Sequence, residues 1–175
     1  MKDGEVGEIR KNVHYYYNKV VRIDNVDFIL SILWSHIDEK DAQYCEQCVT
    51  DFRRIMYGTN IFTYREFNDE HKRCLAFIKN AVALSNAKHK VVVTHHVPSY
   101  RLCAPEFAGS PLNGAFTVEL ADYIKASGID YWIYGHSHRN INNVIGNTQC
   151  VCNQLGYVFA NEHHQFDVNK AILIE

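Results

Sequence analysis

Four of the ten histidines stand in two close pairs, His95-His96 and His136-Ser137-His138, and each pair ends a β-branched or aromatic run. The first run is Val91-Val92-Val93-Thr94 and the second is Trp132-Ile133-Tyr134-Gly135. Neutral imidazole is a borderline donor suited to Zn, Fe, Ni or Cu and acceptable to Mn, and donors held on rigid strand ends lose little entropy when an ion binds. A single histidine after a strand is more often a hydrogen-bonded structural residue than a ligand. Two clusters at equivalent strand ends point instead to metal coordination, although neither supplies an acidic partner. Gly135 lets the chain turn sharply on leaving its strand, which presents His136 and His138 on the same side of a loop. A third pair, His163-His164, follows no strand and reads as polar surface. Cys45 and Cys48 have a C-x-x-C spacing that suits redox chemistry or half of a zinc site, but no second pair with ligand spacing follows. Small thiols packed on one face of a helix are the simpler reading.

Both histidine pairs need strands beneath them. Lys90 to Thr94 and Asp130 to Tyr134 are short β-branched and aromatic runs, with an apolar-striped helix expected between them from about Ala115 to Ser127. Gly128 sits where a left-handed helix cap is wanted. The order is β-α-β, whose default is parallel pairing, and the C-terminal ends of such strands form the crevice where ligands bind. Further upstream, Lys19 to Ile23 and Val26 to Trp34 flank Asp24-Asn25 and read as a hairpin whose second strand lies deep in a sheet. Asp38 to Tyr57 reads as one helix. Thr63-Tyr-Arg-Glu66 fits a capping box, and Phe67, His71, Cys74, Ile78 and Val82 then recur along one stripe of a helix running to about Ser85. Ile141 to Ile145 and Gln149 to Val151 flank Gly146-Asn147 as another hairpin, and Lys170 to Ile174 is expected as a last strand.

With 175 residues, 47% hydrophobic and 22% charged, the chain has the size and balance of one globular domain. A formal net charge of -2 gives no general attraction to nucleic acid or to anionic lipid, so any phosphate recognition must be local. No apolar run approaches the roughly 20 residues of a membrane-spanning helix, and the charged start, Met1 to Arg10, is not an apolar signal segment. The six cysteines then read as reduced thiols, and the expected location is cytoplasmic.

Thr94-His95-His96-Val97-Pro98-Ser99, followed about forty residues later by Tyr134-Gly135-His136-Ser137-His138, resembles the last two motifs of the calcineurin-like metallophosphoesterases. Asn12-Val-His-Tyr, Phe28 to Trp34, Asp51-Phe-Arg-Arg-Ile, Ser110-Pro-Leu-Asn113 and Cys152-Asn153-Gln-Leu-Gly156-Tyr157 look like the intervening blocks of a bacterial subgroup, so the resemblance covers essentially the whole chain. It implies an α/β fold, part of a two-sheet sandwich flanked by helices in four layers (αββα). It also implies hydrolysis of a phosphomonoester or phosphodiester by two divalent metal ions (Mn, Fe, Ni or Zn) bridged by an aspartate and a hydroxide. By that resemblance His95 and His136 serve one metal and His138 the other, while His96 stands behind the ligands or faces the phosphate. The loop from Pro98 to Asn113 is expected to cover the crevice, with Arg101 able to pair with a phosphate oxygen or to be an ordinary surface cation. Asn113 could be the N-cap of the following helix.

The family's early acidic motifs Gly-Asp-x-x-Asp and Gly-Asn-His-Glu have no counterpart in the sequence. Residues 1–175 are therefore expected to be one metallophosphoesterase domain, incomplete at its N-terminus, with Met1 an internal methionine of a longer protein. Three imidazoles without carboxylates hold one ion or none. The expected partners are a phosphate-ester substrate and either a second copy of the chain or the missing N-terminal segment. The competing expectation is a non-catalytic module that works by assembly.

Overall fold

Strand formation follows the β-branched and aromatic runs. The computed structural model describes residues 2–174. In chain order the elements are β1 (Glu5–Arg10), β2 (Val13–Tyr17), β3 (Lys19–Ile23), β4 (Val26–Leu30), α1 (Glu39–Cys48), α2 (Asp51–Arg54), β5 (Met56–Tyr57), β6 (Asn60–Ile61), α3 (Tyr64–Leu84), β7 (His89–Val93), α4 (Ala121–Ala126), β8 (Tyr131–Ile133), β9 (Asn143–Ile145) and β10 (Thr148–Val151). Six strands form one sheet in the order β3-β4-β7-β8-β10-β9. Its four inner strands are mutually parallel, and β3 and β9 are antiparallel edges. β1 with β2, and β5 with β6, form separate two-stranded hairpins. This is the mixed α/β architecture expected from the sequence.

Register explains where the core lies. Ile29, Val92, Trp132 and Cys150 are neighbours across β4, β7, β8 and β10, and all four are fully buried. Ile78 and Val82 of α3 and Ile124 of α4 pack over that row, so both helices cover the same face. Leu30, Val93, Ile133 and Val151 form the next row on the opposite face, and each is only half-buried. A second cluster, around Ile37, Phe52, Phe62 and Phe67, joins α1, α2 and the start of α3. Among the described residues, no helix is long and apolar enough to cross a membrane.

The capping box opens α3 as its sequence requires. The Thr63 hydroxyl accepts from the Arg65 N–H at 3.3 Å, the Thr63 N–H donates to Glu66 Oε2 at 3.0 Å, and the Thr63 hydroxyl also donates to that carboxylate. The stripe Phe67, His71, Cys74, Ile78 and Val82 is buried throughout. Thr63→Ala should therefore lower stability by about 1 kcal/mol in urea unfolding, the usual cost of losing a cap. An unchanged midpoint would show that packing alone sets this helix start.

Four local expectations need correction. The helix expected over Asp38 to Tyr57 breaks at Val49, which is extended at φ -86° and ψ 128°, and Phe52 of α2 turns into the second cluster. Met56-Tyr57 then pairs with Asn60-Ile61 around Gly58 instead of remaining helical. The helix expected from Ala115 shortens to Ala121–Ala126 because the preceding backbone pairs with the exit of β7. Val97 N donates to Phe116 O, Val118 N to Val97 O and Leu120 N to Pro98 O. Asn113 accordingly begins a 3-10 turn rather than capping α4, and its amide donates to Phe107 O at 2.7 Å. Lys170 to Ile174 forms no strand. That segment is tied by side chains, with Lys170 Nζ donating to Cys152 O at 2.7 Å and the Tyr131 hydroxyl to Leu173 O at 3.2 Å. Of the C-x-x-C pair, Cys45 is fully buried and Cys48 exposed, and all six cysteines are free thiols.

Candidate functional site

The two strand tips are stitched to one another before the histidines begin. Thr94 N donates to Ile133 O at 2.8 Å, and the Thr94 hydroxyl accepts from Trp132 Nε1 at 3.0 Å and donates to His96 O at 3.0 Å. The N–H groups of His95 and His96 both donate to Ile32 O, and Gly135 N donates to His95 O at 3.1 Å. Three rings meet as a result. The His136 ring centroid lies 4.5 Å from that of His95 and 4.4 Å from that of His96, with His95 and His96 5.4 Å apart. Phe116 stacks on His136 at 4.6 Å and 27°.

His136 and His138 both adopt left-handed backbone, at φ 71° and 52°, a conformation that costs a non-glycine residue about 1 kcal/mol or more. Tertiary bonds hold them there. His138 N donates to Gln154 Oε1 at 2.8 Å, and Ser137 N donates to Gly135 O at 2.9 Å. Gln154 also donates to Ser137 Oγ and Arg139 O, so one side chain braces the whole loop.

Burial favours the neutral form of these imidazoles. His136 is pushed down to about 3, chiefly by desolvation and then by the neighbouring charge of His95, against a backbone hydrogen bond to Ala115. His96, 1% exposed, is lowered well below the ordinary imidazole value by burial and by His136 and His95. His95 leaves one side open to solvent, yet the protein mass on its other side lowers it too, with Asp51 opposing and His138 reinforcing the shift. Asp51 is itself half-buried, and its carboxyl is raised by desolvation, with His95 pulling the other way. Neutral imidazole is the form that binds a metal.

His138 sits on the same loop and bonds outward, through Nδ1 to Glu162 Oε2 at 2.9 Å, with Tyr157 edge-on to its ring at 4.6 Å. Arg139 links this loop to the segment after β7: its Nε donates to Glu106 at 2.9 Å and its guanidinium lies over Phe107 at 5.6 Å. Arg101 is placed differently. It is exposed on the 3-10 turn Tyr100–Leu102, its carbonyl accepts from Asn143 at 3.5 Å, and no described contact joins it to the histidines. The rings of His163 and His164 lie 4.6 Å apart, tilted at 32°, in the segment that carries Glu162.

A cavity of about 350 Å³ is lined by Glu106, His138, Arg139 and Glu162, and two others lie nearby. The larger, about 840 Å³, runs between the start of α1 and residues 100–119, and none of the four paired histidines lines it. A smaller one, about 150 Å³, is lined by Phe107, Leu112, Phe116 and Ser137 and adjoins the ring cluster through Phe116.

The donor set fits a metal centre in part. His136 Nε2 and both ring nitrogens of His96 are buried without a hydrogen-bond partner among the described residues, an arrangement expensive enough to call for an occupant. Yet among the described residues no group of three or more His, Cys, Asp or Glu side chains is arranged to hold an ion. The histidine pairs were visible in the sequence, whereas Asp51, Phe116, Arg139, Gln154 and Glu162 were not read as site residues. Asp51 and Gln154 did lie in two of the blocks that carry the family resemblance, Asp51-Phe-Arg-Arg-Ile and Cys152-Asn153-Gln-Leu-Gly156-Tyr157.

The chain is 26% identical over 167 residues to "Uncharacterized protein L509" of Acanthamoeba polyphaga mimivirus, a match covering 89% of this chain and 58% of that protein. The chain thus spans less than two thirds of that relative's length. A family model described as calcineurin-like phosphoesterase matches residues 7–140, a span that contains both histidine pairs and the strands that carry them. The chain belongs to the calcineurin-like phosphoesterase family.

Proposed function

We propose that this chain provides the imidazole ligands of a metal-dependent centre that hydrolyses a phosphomonoester or phosphodiester. The observation that carries the reading is the meeting of His95, His96 and His136 at two adjoining strand tips, with His136 Nε2 buried and unpaired among the described residues. His95 and His136 would hold one divalent cation (Mn, Fe, Ni or Zn) and His138 a second. When bound, such ions lower the pKa of a coordinated water and neutralise phosphoryl oxygens. The residues present do the rest. His96 packs behind the ligand rings, and Phe116 keeps water from one face of His136. Arg139 is held beside His138 by Glu106 and Glu162 and adds positive charge at the rim. Arg101 is proposed as a cation for a substrate phosphate oxygen from its exposed turn. Six free thiols support a reducing, cytoplasmic setting.

A second reading is a module that becomes catalytic only on assembly. It is favoured by the absence of a complete metal-holding group among the described residues and by the half-buried row Leu30, Val93, Ile133 and Val151. Carboxylate donors would then come from another polypeptide segment or from a second copy.

Two measurements test these readings together. Metal analysis of the purified protein should find a bound divalent ion, and hydrolysis of an aryl phosphodiester with added Mn should be undetectable for this chain alone. Robust turnover by the chain alone would overturn the need for assembly. Absence of any metal affinity would overturn the centre itself.

A further inference from the structure

His138 is the only one of the candidate ligands held by a carboxylate among the described contacts, and the arrangement around that contact is built. Glu162 Oε2 accepts from His138 Nδ1 at 2.9 Å and from the Tyr157 N–H at 2.7 Å, so one oxygen is fixed by two donors. Its other oxygen lies 3.5 Å from Arg139. The pair is well covered, with side chains 31% and 18% exposed, and the Tyr157 ring meets His138 edge-on. Gly156 makes the approach possible. Its φ is +63°, and a Cβ there would lie 2.5 Å from Glu162 Cβ and 2.9 Å from Oε2. The turn is therefore shaped around this carboxylate.

An ionised carboxylate can only accept hydrogen bonds, so the proton between the two groups belongs to Nδ1 of the imidazole. A free neutral imidazole exchanges between tautomers, and a ligand that binds through Nε2 must carry its proton on Nδ1. A carboxylate behind a ligating histidine sets that tautomer and the ring's orientation. We propose that Glu162 is the positioning residue of His138, locking the Nδ1–H tautomer and leaving the Nε2 lone pair free for a divalent cation. The consequence for metal binding rests on the centre proposed above, whereas the tautomer is a property of the metal-free protein.

Proton–nitrogen correlation spectra of isotope-labelled histidines test this directly, at a pH above the ordinary imidazole range, with His138 identified by its loss in His138→Gln. The wild type should show the Nδ1–H form. Glu162→Ala should move His138 toward the Nε2–H form, and Glu162→Gln, which keeps the acceptor oxygen, should restore Nδ1–H. In Zn titrations Glu162→Ala should bind about 10–100-fold more weakly, with most of the loss recovered in Glu162→Gln. An Nε2–H form in the wild type overturns the proposal, and so does an unchanged tautomer in Glu162→Ala. If Glu162→Ala does not fold, the wild-type tautomer and its retention in Glu162→Gln decide. Tautomers that respond as expected in a protein without Zn affinity would sustain the role of Glu162 and remove the metal centre instead.

Discussion

His136→Ala should cost more than about 100-fold in divalent-metal affinity, beyond what loss of an outer partner usually costs. The expectation comes from where the ring sits. His136 is the hinge of the cluster, touching His95 at 4.5 Å and His96 at 4.4 Å, and its Nε2 is buried with no hydrogen-bond partner among the described residues. Burial keeps it neutral across the physiological range, so the lone pair is always available. Removing the ring also leaves a hole beside Phe116, which calls for a control. His136→Asn tolerates the left-handed backbone at φ 71° and should keep the loop closer to its native path. Both variants should lose metal by calorimetric titration, and thermal unfolding should separate that loss from misfolding. A folded His136→Ala protein with wild-type affinity would remove His136 from the ligand set.

Trp132→Ala should destabilise the fold by about 3–5 kcal/mol, a large part of the roughly 5–15 kcal/mol available to a domain of this kind. Trp132 is fully buried at the centre of the row Ile29, Val92, Trp132 and Cys150, under α3 and α4. Its indole N–H also donates to Thr94, the residue that precedes His95. The same side chain thus fills the core and ties the tip of β8 to the tip of β7. Trp132→Phe should cost less in urea unfolding, because most of the buried ring area remains. It should still weaken metal binding, because the link between the two histidine-bearing tips is cut. A loss below about 1 kcal/mol in Trp132→Ala would show that the core can collapse around the gap.

Short-range rules made α3, β7 and β8 legible. The capping box and buried stripe of α3 depend on contacts three and four residues apart, and the strands on runs of β-branched or aromatic residues. The histidines at the ends of β7 and β8 followed from the same runs, since consecutive parallel strands bring their C-terminal ends to one edge. Other features had no local signature. The hydrogen bonds joining Val97 to Phe116 and Val118 shorten α4, although its apolar stripe continues upstream. Lys170 to Ile174 has the composition of a strand, yet its side-chain ties to Cys152 and Tyr131 leave it irregular.

The sequence by itself determined that two strand ends would each carry a pair of histidines. Tertiary structure alone decided that His136 and His138 take left-handed backbone without glycine, that Arg139 reaches Glu106, and that Glu162 stands behind His138. The reason is sequence separation: Glu162 is 24 residues from His138 and Glu106 is 33 from Arg139. Such pairs form only after a packed core has met the entropy of closing those loops, and no local preference announces them.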